Sequence, residues 1–186
     1  MNKLNGHMIY LAGPIDLVKN ENDYRGWRNE LTGFLHSLNI GSLDPCDKPI
    51  LGVNEDEKWR KKLATLRQNK QYDELSKEIK NIVTQDLHLV DLSSAVIAYF
   101  DLDTYTCGTI CEISHAIQTK KPVICYCKQG KQNMPGWMFG LGHHEIFFDT
   151  IDEVKNYILK IDSDQSAPLT ERWKFLDVNK IFGIKE

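Results

Sequence analysis

The chain has 186 residues, 41% of them hydrophobic and 26% charged, which is the composition of one globular domain with a sizeable core rather than a disordered segment. Its 23 basic and 26 acidic residues leave a formal net charge of -3, so there is no cationic excess to neutralise a nucleic-acid duplex. No apolar run approaches the roughly 18–20 residues of a membrane span, and the opening M-N-K-L-N-G-H-M lacks a signal-peptide core, so no membrane partner is expected. Cys46, Cys107, Cys111, Cys125 and Cys127 accordingly read as reduced thiols of a cytoplasmic protein. Cys125 and Cys127 alternate along an apolar run and read as small core residues, so no metal is expected.

Ile9-Tyr10-Leu11-Ala12 is a short apolar run closed by Gly13-Pro14, a strand and its breaker. Over 22–38, Tyr24, Trp27, Leu31, Phe34, Leu35 and Leu38 recur at helical spacing. Residues 40–43 form a second strand that runs into the Asp44-Pro45 turn. Residues 54–72 carry many charges around Trp59, Leu63 and Leu66, and read as a solvated helix or a mobile excursion, serving as a lid over the strand ends or a surface helix pair. A stronger helix follows over 75–92, with Leu75, Ile79, Ile82, Val83 and Val90 on one stripe. A-V-I-A-Y-F (95–100) and P-V-I-C-Y-C (122–127) are continuous apolar runs, as strands buried on both faces require, and 109–118 between them is a short helix. A last strand over 146–148 and a helix over 151–161 complete the pattern.

This alternation predicts an α/β fold over 1–162: a single Rossmann-like, five-stranded parallel sheet in flavodoxin-like order, with right-handed crossovers and helices on both faces. S-D-Q-S-A-P opens a linker and tail over 163–186. Its Trp173, Phe175, Leu176, Ile181 and Phe182 are expected to dock on the chain's own domain or on a sister subunit.

Ligands of open parallel sheets bind beyond the carboxyl ends of the strands. That draws attention to the loops 13–16 (Gly13, Pro14, Asp16), 101–108 (Asp101, Asp103, Gly108) and 128–142 (Trp137, Met138). Asp86 falls on the apolar stripe of its helix, between Ile82 and Val90. A carboxylate there costs several kcal/mol unless a partner holds it. It is either fixed by such a partner or raised in pKa, so that it can hold and donate a proton. Glu112 follows a buried strand and its loop, which places it in the first turn of a helix, where the dipole favours its anion. It either serves that dipole alone or acts as a nucleophile beside Gly108, where backbone can approach a ligand. One protonated and one ionised carboxyl are what breaking a glycosidic bond needs: an acid for the departing group and a carboxylate for the anomeric carbon. Tyr10 reads as a core tyrosine, or as a hydroxyl that orients the nucleophile.

The runs I-Y-L-A-G-P-I-D (9–16), Q-D-L (85–87), S-S-A-V-I-A-Y-F-D (93–101), G-T-I-C-E-I-S-H-A (108–116) and K-K-P-V-I (120–124) follow one another in an order that resembles the nucleoside 2-deoxyribosyltransferase family over about 9–149. The resemblance implies Glu112 as the nucleophile that forms a covalent deoxyribosyl-enzyme intermediate. It also implies Asp86 as the group that handles the base's proton, and Tyr10 as the hydroxyl bonded to the nucleophile. It further implies no cofactor, deoxynucleoside and nucleobase substrates, and a homo-oligomer whose sites a neighbouring subunit completes.

The chain departs from the family pattern in two loops. The acidic residue that holds the sugar is represented by Asp101 or Asp103, and a later Asp-Asn pair is replaced by a stretch from Asn133 to His143 and His144. Those histidines are either a polar loop or a 5'-phosphate site, which would move the reaction toward hydrolysis of deoxynucleoside monophosphates. Trp137 and Met138 either stack on a base or pack a lid. Nucleotide phosphoribohydrolases of the cytokinin-activating type share the G-T-x-x-E element, but their paired glycines give way here to Thr106 and Cys107. A non-catalytic nucleotide-sensing module would be expected to lack one carboxylate, and both are present. The aromatic tail alone speaks for an interaction role, as a dimer clasp.

Overall fold

The computed structural model describes residues 2–18, 20–50 and 56–183. In chain order it contains β1 (Met8–Ala12), α1 (Glu21–Ser37), β2 (Gly41–Leu43), α2 (Glu57–Gln68), α3 (Tyr72–Leu92), β3 (Ala95–Phe100), α4 (Cys107–Gln118), β4 (Val123–Cys127), α5 (Gly136–Leu141), β5 (Phe147–Phe148), α6 (Ile151–Asp162) and a short α7 (Val178–Phe182). The strands form one sheet in the order β2-β1-β3-β4-β5, and every pairing is parallel. This is the doubly wound arrangement that the alternation of elements predicts.

The pleat divides the core in two. Tyr10, Val96, Ala98 and Cys125 face Leu89 and Val90 of α3 and Ile113 of α4. Ile9, Leu11, Ile97 and Ile124 face Leu31 and Leu35 of α1 and Val154 and Ile158 of α6. All six residues of β3 are buried, which is why its sequence shows no alternation. Cys46, Cys125 and Cys127 are buried and Cys107 and Cys111 exposed, none of them in a disulfide.

One stripe differs from its sequence reading. The buried face of α3 runs through Ile82, Asp86, Leu89 and Val90, and Val83 turns outward. Over 54–72 the structure has the expected largely solvated helix, α2, pinned by two apolar anchors, with residues 54 and 55 lying outside the described residues. Leu63 of α2 is fully buried and Leu66 nearly so. Asp56 caps this helix, its Oδ1 accepting from the Trp59 N–H at 2.7 Å, and Lys62 reaches Glu78 of α3 at 2.9 Å.

The tail packs against α6 and the segment before β1. Trp173 is buried and its Nε1 donates to the Tyr157 hydroxyl at 3.2 Å, which donates onward to the Pro168 carbonyl at 2.7 Å. The Leu176 N–H donates to His7 Nε2 at 3.0 Å, while Ile181 and Phe182 remain exposed.

Candidate active site

The strand order reverses between β1 and β3, and the helices that follow these two strands leave on opposite faces of the sheet. A crevice opens at such a point. Tyr10 lies in the middle of β1, between Leu43 and Val96, with no exposed surface. Its hydroxyl donates to Glu112 Oε1 at 2.8 Å. Burial first, then the charges of Glu112 and Asp86, push the phenol well above its ordinary pKa, so it stays a hydrogen-bond donor. Glu112 thus meets the hydroxyl directly, while Asp86 acts on it only through its charge.

Glu112 is the sixth residue of α4, in the second turn and not the first. The helix begins at Cys107 because the loop after β3 is shorter than the sequence reading allowed. The dipole argument for Glu112 thus gives way to a direct hydrogen bond from Tyr10.

Asp86 is buried on the inner face of α3 and has a partner that the sequence reading did not identify. Lys48, in the loop after β2, places Nζ 2.8 Å from Asp86 Oδ1 with its side chain wholly out of solvent. Burial pushes the Asp86 carboxyl up from the ordinary carboxylate value, and Lys48 and then Arg28 pull against that rise.

Arg28 of α1 is a second cation missing from the sequence reading. It is fully buried. Nη2 donates to the Gly13 carbonyl at 2.8 Å, Nε to the Leu11 carbonyl at 3.4 Å, and Nη1 to the Tyr24 carbonyl, while Asp44 Oδ1 lies 3.3 Å from Nε. The signal was available: position 28 falls within the apolar stripe marked by Tyr24, Leu31 and Leu35, as Asp86 does in its own helix. Lys48 sits in an irregular loop and gives no such periodic signal.

The loop residues take diverse places. Gly13 packs so closely that a Cβ would lie 2.6 Å from Trp27 Cζ2, so the site requires glycine. Pro14 beside it is buried. Asp16 is exposed and forms a two-point ion pair with Arg67 of α2, which also sends Arg60 to the Val18 carbonyl. These contacts fasten α2 across the loop after β1. Gly108 is exposed at the start of α4, and a Cβ there would meet nothing within 4 Å. Met138 is buried in the core whereas Trp137 is 80% exposed. His143 and His144 are exposed with ring centroids 4.5 Å apart, and His143 Nδ1 lies 3.1 Å from Glu145. Among the described residues, no cluster of three or more His, Cys, Asp or Glu side chains is placed to hold a metal ion.

Asp101 is buried at the end of β3 and accepts from Lys128 Nζ and Gln129 Nε2, each at 2.7 Å, and from the Asp103 N–H at 3.1 Å. Asp103 is exposed and also accepts from Gln129, at 3.1 Å. Burial alone would raise the Asp101 carboxyl, but the bonds from Lys128, Gln129 and Asp103 outweigh it and hold the pKa below the ordinary value. A depressed folded-state value stabilises the fold above the unfolded pKa of about 3.9, and the contribution is lost as pH falls through the folded value. Urea unfolding across a pH series is therefore expected to show stability declining below about pH 4, with a shallower decline in Asp101→Asn. Equal slopes for the two proteins would remove Asp101 as a source.

At the switch point of the sheet, then, a tyrosine hydroxyl bonds one buried carboxyl, and a second buried carboxyl lies on the neighbouring helix. The family model of nucleoside 2-deoxyribosyltransferase matches residues 9–146, and the chain belongs to that family. Membership places it among enzymes of nucleoside deoxyribosyl transfer or N-glycosidic cleavage. A 2-deoxyribosyltransferase from Bacillus psychrosaccharolyticus is similar in fold: 18% identity, TM-score 0.55, covering 81% of this chain and 91% of that one. A CMP N-glycosidase from Clostridium botulinum aligns at 13% identity and TM-score 0.45, over 84% of this chain and 98% of that one. No curated protein matches the chain. Among the described residues, no helix is long and apolar enough to cross a membrane.

Proposed function

We propose that the protein cleaves the N-glycosidic bond of 2'-deoxynucleosides through a covalent deoxyribosyl–Glu112 intermediate and transfers the sugar to a second nucleobase. The observation that carries this reading is the buried Tyr10–Glu112 hydrogen bond, with the Asp86 charge acting on the same hydroxyl. Glu112 attacks the anomeric carbon while the C–N bond breaks and its electron pair leaves with the base, and the Asp86 carboxyl handles the proton that the departing base takes up. Tyr10 fixes the attacking oxygen and keeps its own proton. The incoming base then attacks the anomeric carbon, Glu112 leaves, and the proton shed by that base returns to the Asp86 side. Gly108, with open space around it, is a place where substrate meets backbone. Gly13, Pro14, Asp16, Asp101 and Asp103 shape the crevice wall in this reading. It carries with it a role in nucleotide salvage in the cytoplasm, with no cofactor, and a homo-oligomer with shared sites.

One observation favours a second reading. The exposed His143–His144 pair offers a phosphate two adjacent imidazoles. It supports hydrolysis of 2'-deoxynucleoside 5'-monophosphates, with Trp137 available to cover the base.

The test is incubation with a deoxynucleoside and a different free base, alongside the matching 5'-monophosphate with no added base. A new deoxynucleoside, with a sugar adduct on the Glu112 peptide by mass spectrometry, is the expected result. Base release without a new nucleoside selects hydrolysis, and no release from any substrate overturns both readings.

A further inference from the structure

We propose that Lys48 is a positioning residue that stores the proton Asp86 passes to the departing base. The inference rests on the function proposed above. Lys48 comes from the loop between β2 and α2, and its side chain has no exposed surface, whereas that of Asp86 retains 12%. Asp86 Oδ1 is itself enclosed, and the ammonium approaches it to 2.8 Å as an ion pair without the alignment of a hydrogen bond. Of the two side chains only the carboxyl keeps any exposed surface, so in this proposal Lys48 acts through Asp86.

Among the described residues, Arg28 of α1 bears on Asp86, while Asp86 and Glu112 of α4 both bear on the Tyr10 hydroxyl of β1. Arg28 is in turn occupied by Asp44 and by three backbone carbonyls. A carboxylate facing an ammonium cannot by itself give up a proton. Burial penalises both charges, however, and so brings the neutral pair, amine and carboxylic acid, closer in energy to the ionic one.

Each step balances. An Nζ–H proton of Lys48 moves to the Asp86 carboxyl. The acid so formed gives that proton to the base nitrogen as the C1'–N bond breaks and the Glu112 oxygen bonds to C1'. Asp86 is then a carboxylate beside a neutral amine. When the incoming base attacks C1' and Glu112 departs, the proton shed by that base returns through Asp86 to Lys48. The pair begins and ends the cycle in the same state, with no proton drawn from solvent.

The test compares the parent with Lys48→Met and Lys48→Arg on a deoxynucleoside, reading kcat and KM from about pH 5 to 10. In the parent the titrating proton belongs to the lysine–carboxyl pair, so activity persists on the alkaline side. In Lys48→Met the proton belongs to Asp86 alone. The alkaline limb is expected to move down by about one pH unit or more, and kcat at pH 8 to fall at least about tenfold with KM little changed. Lys48→Arg restores the cation but not a proton that can be given up, so it is expected to fold like the parent and keep the shifted limb. If Lys48→Met does not fold, Lys48→Arg carries the comparison alone. Parent-like profiles in either folded variant overturn the inference while leaving the proposed function standing. A parent that releases no base from any deoxynucleoside or monophosphate overturns both.

Discussion

Glu112→Ala is expected to reduce base release by at least about a thousandfold, because in the proposed mechanism it removes the covalent nucleophile and leaves only binding and charge effects to speed the reaction. The sugar adduct on the α4 peptide is expected to vanish with it. The substitution also takes the acceptor from a Tyr10 hydroxyl that has no route to water, which costs about 1–3 kcal/mol of stability. Glu112→Gln separates the two effects: its carbonyl can still accept from Tyr10, while an amide does not form the sugar ester. Chemical unfolding of both variants beside their initial rates makes the comparison. Near-parent turnover in either one would remove Glu112 from the chemistry.

Arg28→Met is expected to lower the unfolding free energy by about 3–5 kcal/mol, since truncating one member of a buried ionic network leaves its partners uncompensated. Methionine fills much of the same volume, so the loss reports the hydrogen bonds and not a cavity. The partners stranded would be Asp44 and the carbonyls of Leu11, Gly13 and Tyr24, which together set the exit of β1 into the crevice. Arg28→Lys is expected to recover little, because a single ammonium cannot reproduce the planar fork. A urea midpoint within experimental error of the parent would show that the site loop does not depend on this guanidinium.

The sheet was legible because its strands announce themselves locally. A-V-I-A-Y-F and V-I-C-Y-C are unbroken apolar runs, and burial on both faces leaves no other pattern for such strands. Asp86 was legible for the opposite reason, as a charge where an amphipathic stripe calls for an apolar residue. Arg28 obeyed the same rule and was passed over, because Trp27 beside it accounts for the helical period without it. Lys48 and Asp44 lie in a loop, where partners meet through the fold rather than through spacing, and no local period points to them. The turn in which Glu112 sits was misjudged for a related reason. Helix starts depend on loop geometry, and Thr106 at the N-cap makes no side-chain hydrogen bond that would mark this one. The anchoring of α2 was legible in Leu63 and Leu66, which stand out among many charges and are both buried.

The Lys3 and Leu4 backbone amides bond to Asp162 at the end of α6, the Leu176 amide bonds to His7, and Val178 packs against Gly6. All of these residues gather behind the amino ends of the strands, on the far side of the sheet from Gly13, Asp101 and Gly108. The Trp173 anchor therefore braces the first strand from the rear, at the end remote from Gly13 and Asp101, while Ile181 and Phe182 keep their apolar faces turned outward.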